Sequence, residues 1–98
     1  MIDMGTVITR SSALHLRLYV AGSAPNSLRA IANARAICGE HFADHRLEIV
    51  DMLKDLRQAL ADGIIVTPTL LKLLPLPPRR LIGDLSNISQ VVLILSGK

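Results

Sequence analysis

The side chains that could do redox chemistry in this chain begin with its single cysteine, Cys38. A thiol–disulfide oxidoreductase needs a thiolate at the start of a helix and a second thiol to resolve the mixed disulfide. Cys38 lies about three turns into a predicted helix, on its apolar face, and has no partner thiol. We predict a packed core cysteine, and a degenerate redox enzyme that uses Cys38 is the alternative.

Two histidines offer the next possible chemistry, which is metal binding. His41 and His45 have the i,i+4 spacing that places two ligands on one helical face. That arrangement requires a helix that continues past Gly39, and Asp44, the nearest third ligand, points elsewhere around the axis. Solvated histidines near a helix end account for both residues. Since a glycine-rich phosphate loop is also missing from the sequence, we predict no catalytic residue, no cofactor, no metal and no enzymatic activity.

Charge and aromatic content argue against nucleic-acid binding. The formal net charge is +3, and eight of the eleven basic residues are arginine, which suits forked contacts to carboxylates. A nucleic-acid surface needs a dense basic stripe and often aromatic platforms, but only Tyr19 and Phe42 are aromatic. The chain starts with a poor signal peptide and has no run of transmembrane length. We therefore expect a cytoplasmic protein without a nucleic-acid or membrane partner.

The elements that position these side chains are clearest in the first half of the chain. Residues 14–20 alternate apolar and polar side chains, which predicts a strand with one buried face. Turn residues at 22–26 precede three- and four-residue apolar spacing, which predicts a helix with Leu28 on its buried face and an end near Gly39. A more apolar strand at 47–52 is predicted to be central. Together these elements form a βαβ unit with parallel strands.

Local signals conflict in the second half. Asp55 with Gln58 predicts a capped short helix that ends at Gly63. Residues 64–74 then start with β-branched side chains and continue as Leu-Leu-Lys-Leu-Leu, so the segment fits a strand or a helix. Pro68 interrupts either element.

The last segment is ambiguous in the same way. Asn87 with Gln90 is a capping pair for a helix, yet residues 91–95 form a β-favouring run without a period. In natural sequences the local structural preferences usually agree with the overall fold. This conflict therefore predicts either that tertiary contacts override the local preferences or that two packings compete. The 98 residues suit one domain, and half of them are hydrophobic, so we expect leftover apolar surface to form an interface.

Three stretches carry a resemblance to a known family. They are LRLYVAG at 16–22, PNSLRA at 25–30 and GIIVTPTLLKLLPLPPRRLIGDLSNISQ at 63–90. In this order they closely resemble the KaiB family of bacterial circadian-clock proteins, over residues 14–93. The resemblance implies an α/β protein with a thioredoxin-like N-terminal βαβ unit. It also implies a C-terminal half that can adopt either the KaiB resting fold or a thioredoxin-like fold.

The resemblance divides the chain into parts. Residues 1–12 are expected to be a flexible tail, and residues 13–98 a single KaiB-like domain. Within it, residues 13–52 are the βαβ unit, here the N-terminal half, and residues 53–98 are the switchable part, here the C-terminal half. The resting form is expected to be a homo-oligomer, either a dimer or a tetramer, and the thioredoxin-like form a monomer.

The function implied by the resemblance is regulatory. A KaiB-type protein binds a KaiC-like ATPase and modulates its phosphorylation and ATPase cycle without catalysis of its own. It also competes with a thioredoxin-like sensor domain of a histidine kinase and helps to sequester a KaiA-like protein. The alternative is a thioredoxin-like adaptor or sensor module in stress signalling that acts on another ATPase or histidine kinase.

The resemblance also assigns partner-binding residues. Three arginines match basic positions of the family at its partner-binding surface, and these are Arg29, Arg79 and Arg80. Glu48 occupies a position on the same surface where relatives often have lysine. Arginine can bind acidic groups of a partner in a bidentate manner. The alternative is a solvated basic face with weak ion pairs to Asp84 or Glu40.

A further set of residues is assigned to the structural switch. Thr67-Pro68 resembles the thioredoxin Thr-Pro segment, whose proline is cis in the thioredoxin-like state; a trans proline at a strand end is the alternative. The other switch residues are Pro25, Asn26, Gly83, Asp84, Ile94 and Ser96. Ile94 and Ser96 stand where clock relatives often have Gly and Asp, so they bear on the balance between the two states.

Overall fold

Seven elements alternate along the chain in a computed structural model that describes residues 13–97. The expected tail at 1–12 lies outside the described residues. The elements, in order, are β1 (Leu14–Val20), α1 (Pro25–His41), β2 (His45–Asp51), α2 (Leu56–Ala61), β3 (Thr69–Leu74), β4 (Arg79–Ile82) and α3 (Ile88–Leu95).

The alternating pattern of β1 determines the two faces of the sheet. Leu16 and Leu18 are fully buried on one face, while His15 and Arg17 project from the other. β1 pairs in parallel with β2 along its whole length. The predicted βαβ unit is therefore confirmed.

Helix α1 differs from its prediction in two respects. It continues through Gly39 to His41, two residues beyond Gly39, near which the end was predicted, and ends where the Phe42 N–H donates to the Cys38 carbonyl. Leu28 is 53% exposed, because the helix turns a stripe of smaller residues towards the sheet. The buried residues of α1 are Ser27, Ala30, Ala34, Ile37 and Cys38. Small side chains let the helix pack closely on β1.

The strand order corrects the prediction of a central second strand. The sheet runs β2-β1-β3-β4, so β2 lies at an edge and β3 takes the place beside β1. β3 pairs antiparallel with β1, with Leu18 opposite Leu70, and β4 continues the sheet antiparallel to β3. The apolar run of β3 is buried on both faces, whereas no residue of β2 is fully buried.

The ambiguous segments of the second half each adopt one structure here. Residues 69–74 form a strand and residues 88–95 a helix. The predicted caps are present: the Asp55 carboxylate accepts a hydrogen bond from the Gln58 N–H at 3.3 Å, and Asn87 accepts one from the Gln90 N–H at 3.4 Å. Gly63 follows α2 with a φ of 70°, as a helix-ending glycine should.

Two cores cover the two faces of the sheet. The larger packs α1 and α3 on β1 and β3, around Leu16, Ala34 and Val91. The smaller lies on the other face under α2, around Tyr19, Ala59 and Ile64. Within residues 13–97, no helix is long and apolar enough to cross a membrane.

Candidate functional site

The four residues assigned to partner binding lie in three separate places. Arg29 is on α1, Glu48 is on the edge strand β2, and Arg79 and Arg80 are on β4 at the opposite edge of the sheet. They do not form one continuous patch. Their surroundings show which of them are free to meet a partner.

Arg29 is part of a contact between α1 and the loop after β4. Its Nε donates to the Asp84 carboxylate at 3.3 Å, and its guanidinium also bonds the Asn26 side chain. Asn33 donates to the Asp84 carbonyl at 2.8 Å. Hydrogen bonds from Ser86, and then the one from Arg29, hold the pKa of Asp84 below its usual value. The Arg29–Asp84 ion pair expected for a solvated basic face is therefore present, yet the Arg29 side chain stays 56% exposed.

Arg79 and Arg80 have different roles because adjacent strand residues project to opposite faces. Arg80 lies on the α2 side, where its two terminal nitrogens donate to the carbonyls of Asp62 and Gly63 at 2.9 and 3.0 Å. These are carbonyls that the end of helix α2 leaves unpaired. Arg79 is exposed on the other side, on the face that carries α1 and α3. Arg79 is the more accessible of the two for a partner.

Glu48 belongs to a polar network on the α2 face of the sheet. Its carboxylate accepts from Arg17 at 3.1 Å and contacts His15 Nε2 at 2.9 Å. Arg17 also donates to the Asp62 carboxylate at 3.0 Å, and the Tyr19 hydroxyl donates to the same oxygen at 2.5 Å. We call this set the inter-half network, because it joins β1 and β2 to the end of α2. Its members are His15, Arg17, Tyr19, Glu48 and Asp62.

The two carboxylates of the inter-half network are ionised at neutral pH. A hydrogen bond from Tyr19, then those from Arg17, lower the pKa of Asp62. Glu48 has a lowered pKa because of its hydrogen bonds with His15 first and Arg17 second. Burial, and then the bond to Asp62, raise the pKa of Tyr19 to about 12. Asp62 and Glu48 therefore hold fixed negative charges beside Arg17, and the Tyr19 hydroxyl keeps its proton.

The sequence reasoning missed this network. One signal was available: His15, Arg17 and Tyr19 occupy the non-core positions of β1, so their side chains share one face. Nothing in the sequence indicated that Asp62 would reach them, since that contact depends on where α2 packs. Arg80 also lowers the pKa of Asp62. Through Arg17 and Asp62, the two edges of the sheet are therefore electrostatically connected.

The switch residues lie at the joints between elements. The Thr67–Pro68 peptide bond is cis, and the Pro68 carbonyl accepts from the Gly83 N–H at 3.0 Å. This bond connects the start of β3 to the end of β4. Gly83 has a φ of 120°, a conformation that glycine adopts without steric cost.

The backbone of Leu85, two residues after Gly83, is strained. Leu85 has a φ of 65° and is 6% exposed, so a bulky core side chain sits in the left-handed region. Such a conformation is rare for a residue with a branched side chain. The sequence did not indicate it, because Gly83 and Asn87 on either side are more natural candidates for a positive φ.

The remaining switch residues are at helix ends. Pro25 begins α1, where a missing N–H is tolerated, and Asn26 bonds Arg29 as described above. Ser96 caps α3, and its hydroxyl donates to the Val92 carbonyl at 2.6 Å. Ile94 is half-buried on the same helix. Pro25 and Asn26 therefore lie in the first turn of α1, and Ile94 and Ser96 lie at the end of α3.

The residues considered for catalysis or metal binding are either buried in the core or located at the ends of elements. Cys38 is fully buried, and burial raises the pKa of its thiol. His41 ends α1 and His45 begins β2, so the two do not share a helical face. His45 Nδ1 is 2.7 Å from the Phe42 carbonyl. Across residues 13–97 there is no group of three or more metal-ligating side chains.

The sequence places the chain among known proteins. A sequence model of the KaiB domain matches residues 17–96. The chain belongs to the KaiB family. The circadian clock oscillator protein KaiB of Prochlorococcus marinus is 48% identical over 79 residues, which cover 80% of this chain and 66% of that protein. The protein of the same name from Synechococcus elongatus is 47% identical over 79 residues, which cover 80% of this chain and 78% of that protein.

Solved structures with the same fold are thioredoxin-like. The N-terminal domain of SasA from Synechococcus elongatus has a TM-score of 0.70 and 22% identity, covering 86% of this chain and 80% of that domain. Chloroplastic thioredoxin z has a TM-score of 0.72 and 13% identity, covering 99% of this chain and 93% of the other. At these identities the likeness concerns the fold alone. Of the two arrangements that the resemblance implied, this KaiB-family structure has the thioredoxin-like one.

The names of the relatives support a regulatory role in a circadian clock. The KaiB domain model and the relatives also confirm the family predicted from the three sequence stretches. The thioredoxin-like α/β fold class is confirmed as well. The roles of Arg29, Glu48, Arg79 and Arg80 in partner binding remain predictions.

Proposed function

We propose that this protein is a non-enzymatic clock regulator that binds a KaiC-like ATPase and modulates its phosphorylation and ATPase cycle. One observation carries the proposal: a KaiB-family chain shares its fold with the N-terminal domain of SasA. Two proteins of one fold can present the same backbone edges and helix faces to a common partner. A competition with such a sensor domain, and the capture of a KaiA-like protein, belong to the same proposal.

The surface proposed for docking includes the β4 edge and, beyond the loop that follows β4, the first turns of α1. Arg79 is exposed there, and Arg29 keeps more than half of its side chain accessible. A partner that places carboxylates opposite these guanidinium groups gains charge-assisted, directional hydrogen bonds. Arg80 supports the surface indirectly, because it holds the end of α2. Glu48, which is held by Arg17 and His15, lies on the other edge and is proposed to shape a second contact.

Charge reversal at Arg79 tests the proposal. Binding of the wild-type protein to a KaiC-like ATPase from the same host would be measured by biolayer interferometry with ATP present. We expect Arg79→Glu to weaken binding by about tenfold or more, since a central charged contact is lost and replaced by repulsion. Arg35→Glu is the matched control, as Arg35 is also exposed but lies elsewhere on α1. Failure of the wild-type protein to bind any such ATPase would contradict the proposal.

Two arrangements of the C-terminal half are part of the proposed function. Among residues 13–97, ten large hydrophobic residues are exposed, and nine of them lie within residues 53–97. The N-terminal half contributes only Leu28 to this group. Water-exposed leucine and isoleucine side chains on one part of a domain indicate that another surface or another packing covers them. This asymmetry supports a C-terminal half that repacks in a resting oligomer.

A second candidate function is a thioredoxin-like adaptor or sensor module for another ATPase or a histidine kinase. The likeness to thioredoxins as well as to the SasA domain favours it. Affinity capture from the native cytoplasm separates the two proposals. A KaiC-like ATPase among the bound proteins supports the first, whereas a different ATPase or kinase in its place supports the second.

A further inference from the structure

Lys72 occupies a position where a lysine is unusual. It lies in the middle of β3, opposite Leu16 of β1 and opposite Arg79 of β4. Residues directly opposite each other in a sheet project to the same face. Since Leu16 belongs to the larger core, the Lys72 side chain starts on the face that α1 and α3 cover. Lys72 is only 1% exposed.

The ammonium group of Lys72 has no compensating partner among the described residues. Its Nζ is buried and makes no hydrogen bond within the part of the chain that the structure describes. A lysine is almost never fully buried unless it is paired. Its cross-strand neighbour on β4 is Arg79, a second cation, and like charges that face each other destabilise a sheet. The thioredoxin-like arrangement therefore contains a charge that its own fold does not neutralise.

A strained backbone conformation in the C-terminal half also destabilises this arrangement. Leu85, in the same half of the chain, is held at a φ of 65° although its side chain is in the core. The N-terminal half contains neither feature within its described residues: its only positive-φ residue is Gly22, and its buried polar atoms without a partner are limited to Arg17 Nε. Arg17 is otherwise bound by two carboxylates. The two features that raise the free energy of this arrangement, the unpartnered Lys72 and the strained Leu85, therefore both lie in the C-terminal half.

We propose that Lys72 is a built-in destabilising residue that lowers the stability of the thioredoxin-like arrangement relative to a second arrangement of the C-terminal half. This inference rests on the proposed function, because it assumes that the C-terminal half has a second arrangement. A partner shifts such an equilibrium only through its differential affinity for the two states. When the binding-competent state is a minor one, the observed affinity is reduced by its fractional population. Removal of the buried charge raises that population and strengthens binding to the same extent.

The decisive variant is Lys72→Met. Methionine keeps the unbranched shape and most of the volume of lysine but carries no charge. We expect the variant to raise the equilibrium constant for the thioredoxin-like arrangement by about tenfold, in line with relief of an unpaired buried charge. Lys54→Met is the matched control, because Lys54 is exposed and should change this constant by less than twofold.

The measurement is the relative population of the two arrangements, read from backbone chemical shifts of residues 69–74 and 88–95. Those segments report strand and helix, respectively, in the thioredoxin-like arrangement. A larger fraction of thioredoxin-like signals in Lys72→Met than in the wild type supports the inference. An unchanged or smaller fraction overturns it, because the buried ammonium group then costs this arrangement nothing in solution. Lys72→Leu repeats the test should methionine pack poorly.

The outcomes separate this inference from the proposed function. The population measurement requires no ATPase, so an absence of ATPase binding counts against the proposed function while the population shift can still occur. An unchanged population in both Lys72 variants counts against the inference even where the wild-type protein binds its ATPase. A larger thioredoxin-like population with tighter ATPase binding supports both.

Discussion

Among the individual residues, Asp62 accepts hydrogen bonds from both halves of the domain. One carboxylate oxygen accepts hydrogen bonds from the buried hydroxyl of Tyr19 and from Arg17, while the backbone carbonyl accepts from Arg80. The residue thereby connects a strand of the N-terminal half with two elements of the C-terminal half. Its position decides whether the inter-half network holds together.

Replacement of Asp62 by asparagine should therefore destabilise this arrangement. The variant removes the charge that Arg17 faces and weakens the acceptor for Tyr19, so we expect a loss of about 1–3 kcal/mol in the free energy of unfolding. Urea unfolding at pH 7 measures it. Asp44→Asn is the control, since Asp44 is exposed before β2 and should stay within about 0.5 kcal/mol of wild type. Equal stability of the two variants would show that the network contributes nothing.

The same network predicts how stability depends on pH. The pKa values of Asp62 and Glu48 are lower in the folded protein than in the unfolded chain. Each carboxylate therefore contributes stability above its unfolded pKa of about 4, and that contribution is lost as pH falls through the folded pKa. We expect the urea midpoint to fall as the pH drops from about 5 to 3. The fall should be smaller in Asp62→Asn, and an identical pH profile would count against this assignment.

Cys38 provides a residue-scale test of the redox alternative. Its thiol is fully buried and has a raised pKa, so little thiolate is available at neutral pH. We expect Ellman's reagent to label the native protein at least about a hundredfold more slowly than a free thiol, with fast labelling in urea. Rapid labelling of the native protein, or insulin reduction lost in Cys38→Ser, would revive a redox function.

Among the elements, α3 shows tertiary contacts overriding local preference. Its sequence is rich in β-branched residues, yet it is a helix because Val91 and Leu95 pack into the core beside α1. The Asn87 side chain caps its first turn. β2 shows the reverse situation: its apolar residues suggested a central strand, but β3 competes for the free side of β1 and leaves β2 at the edge. Neither the helical structure of α3 nor the edge position of β2 is determined by the sequence of that element alone.

The cap of α3 can be tested directly. Asn87→Ala removes the acceptor for the Gln90 N–H, which should lower stability by about 1 kcal/mol. Hydrogen exchange of the amides in residues 90–95 should accelerate more than that of β1. Ser89→Ala is the matched control, because Ser89 is exposed within the first turn and lies outside the cap. Equal exchange rates in both variants would mean that core packing alone maintains the helix.

At the scale of the whole molecule, the two halves differ in how they bury apolar and charged side chains. In the N-terminal half Leu28 is the only large apolar side chain that is exposed, whereas the C-terminal half exposes nine and encloses Lys72. An unfrustrated domain would show the same order throughout. The proposed second arrangement of the C-terminal half is a physical explanation for this contrast.

Two arrangements have a spectroscopic consequence. Heteronuclear NMR of the wild-type protein should show two sets of signals for residues 53–97 and one for most of residues 13–52. Their ratio should change with protein concentration, because the resting form is proposed to be an oligomer and its population follows mass action. A single set of signals at all concentrations would contradict both the switch and the oligomer.

The sequence by itself determined the elements that depend on near neighbours. Alternation specified β1, three- and four-residue spacing specified α1, and the caps at Asp55 and Asn87 specified where two helices begin. The three ordered stretches were long enough to identify the KaiB family. Such signals act over a few residues, so they can be read without knowing the fold.

Only the tertiary structure decided which residues far apart in the chain meet. The edge position of β2, the contact of Asp62 with Tyr19 and the enclosure of Lys72 all follow from where α2 and β3 pack. No local pattern contains that information, because the gain from a long-range contact depends on every element that competes for the same surface. For residues 69–74 and 88–95 the local preferences were close to balanced, so packing against β1 and α1 selected strand and helix, respectively.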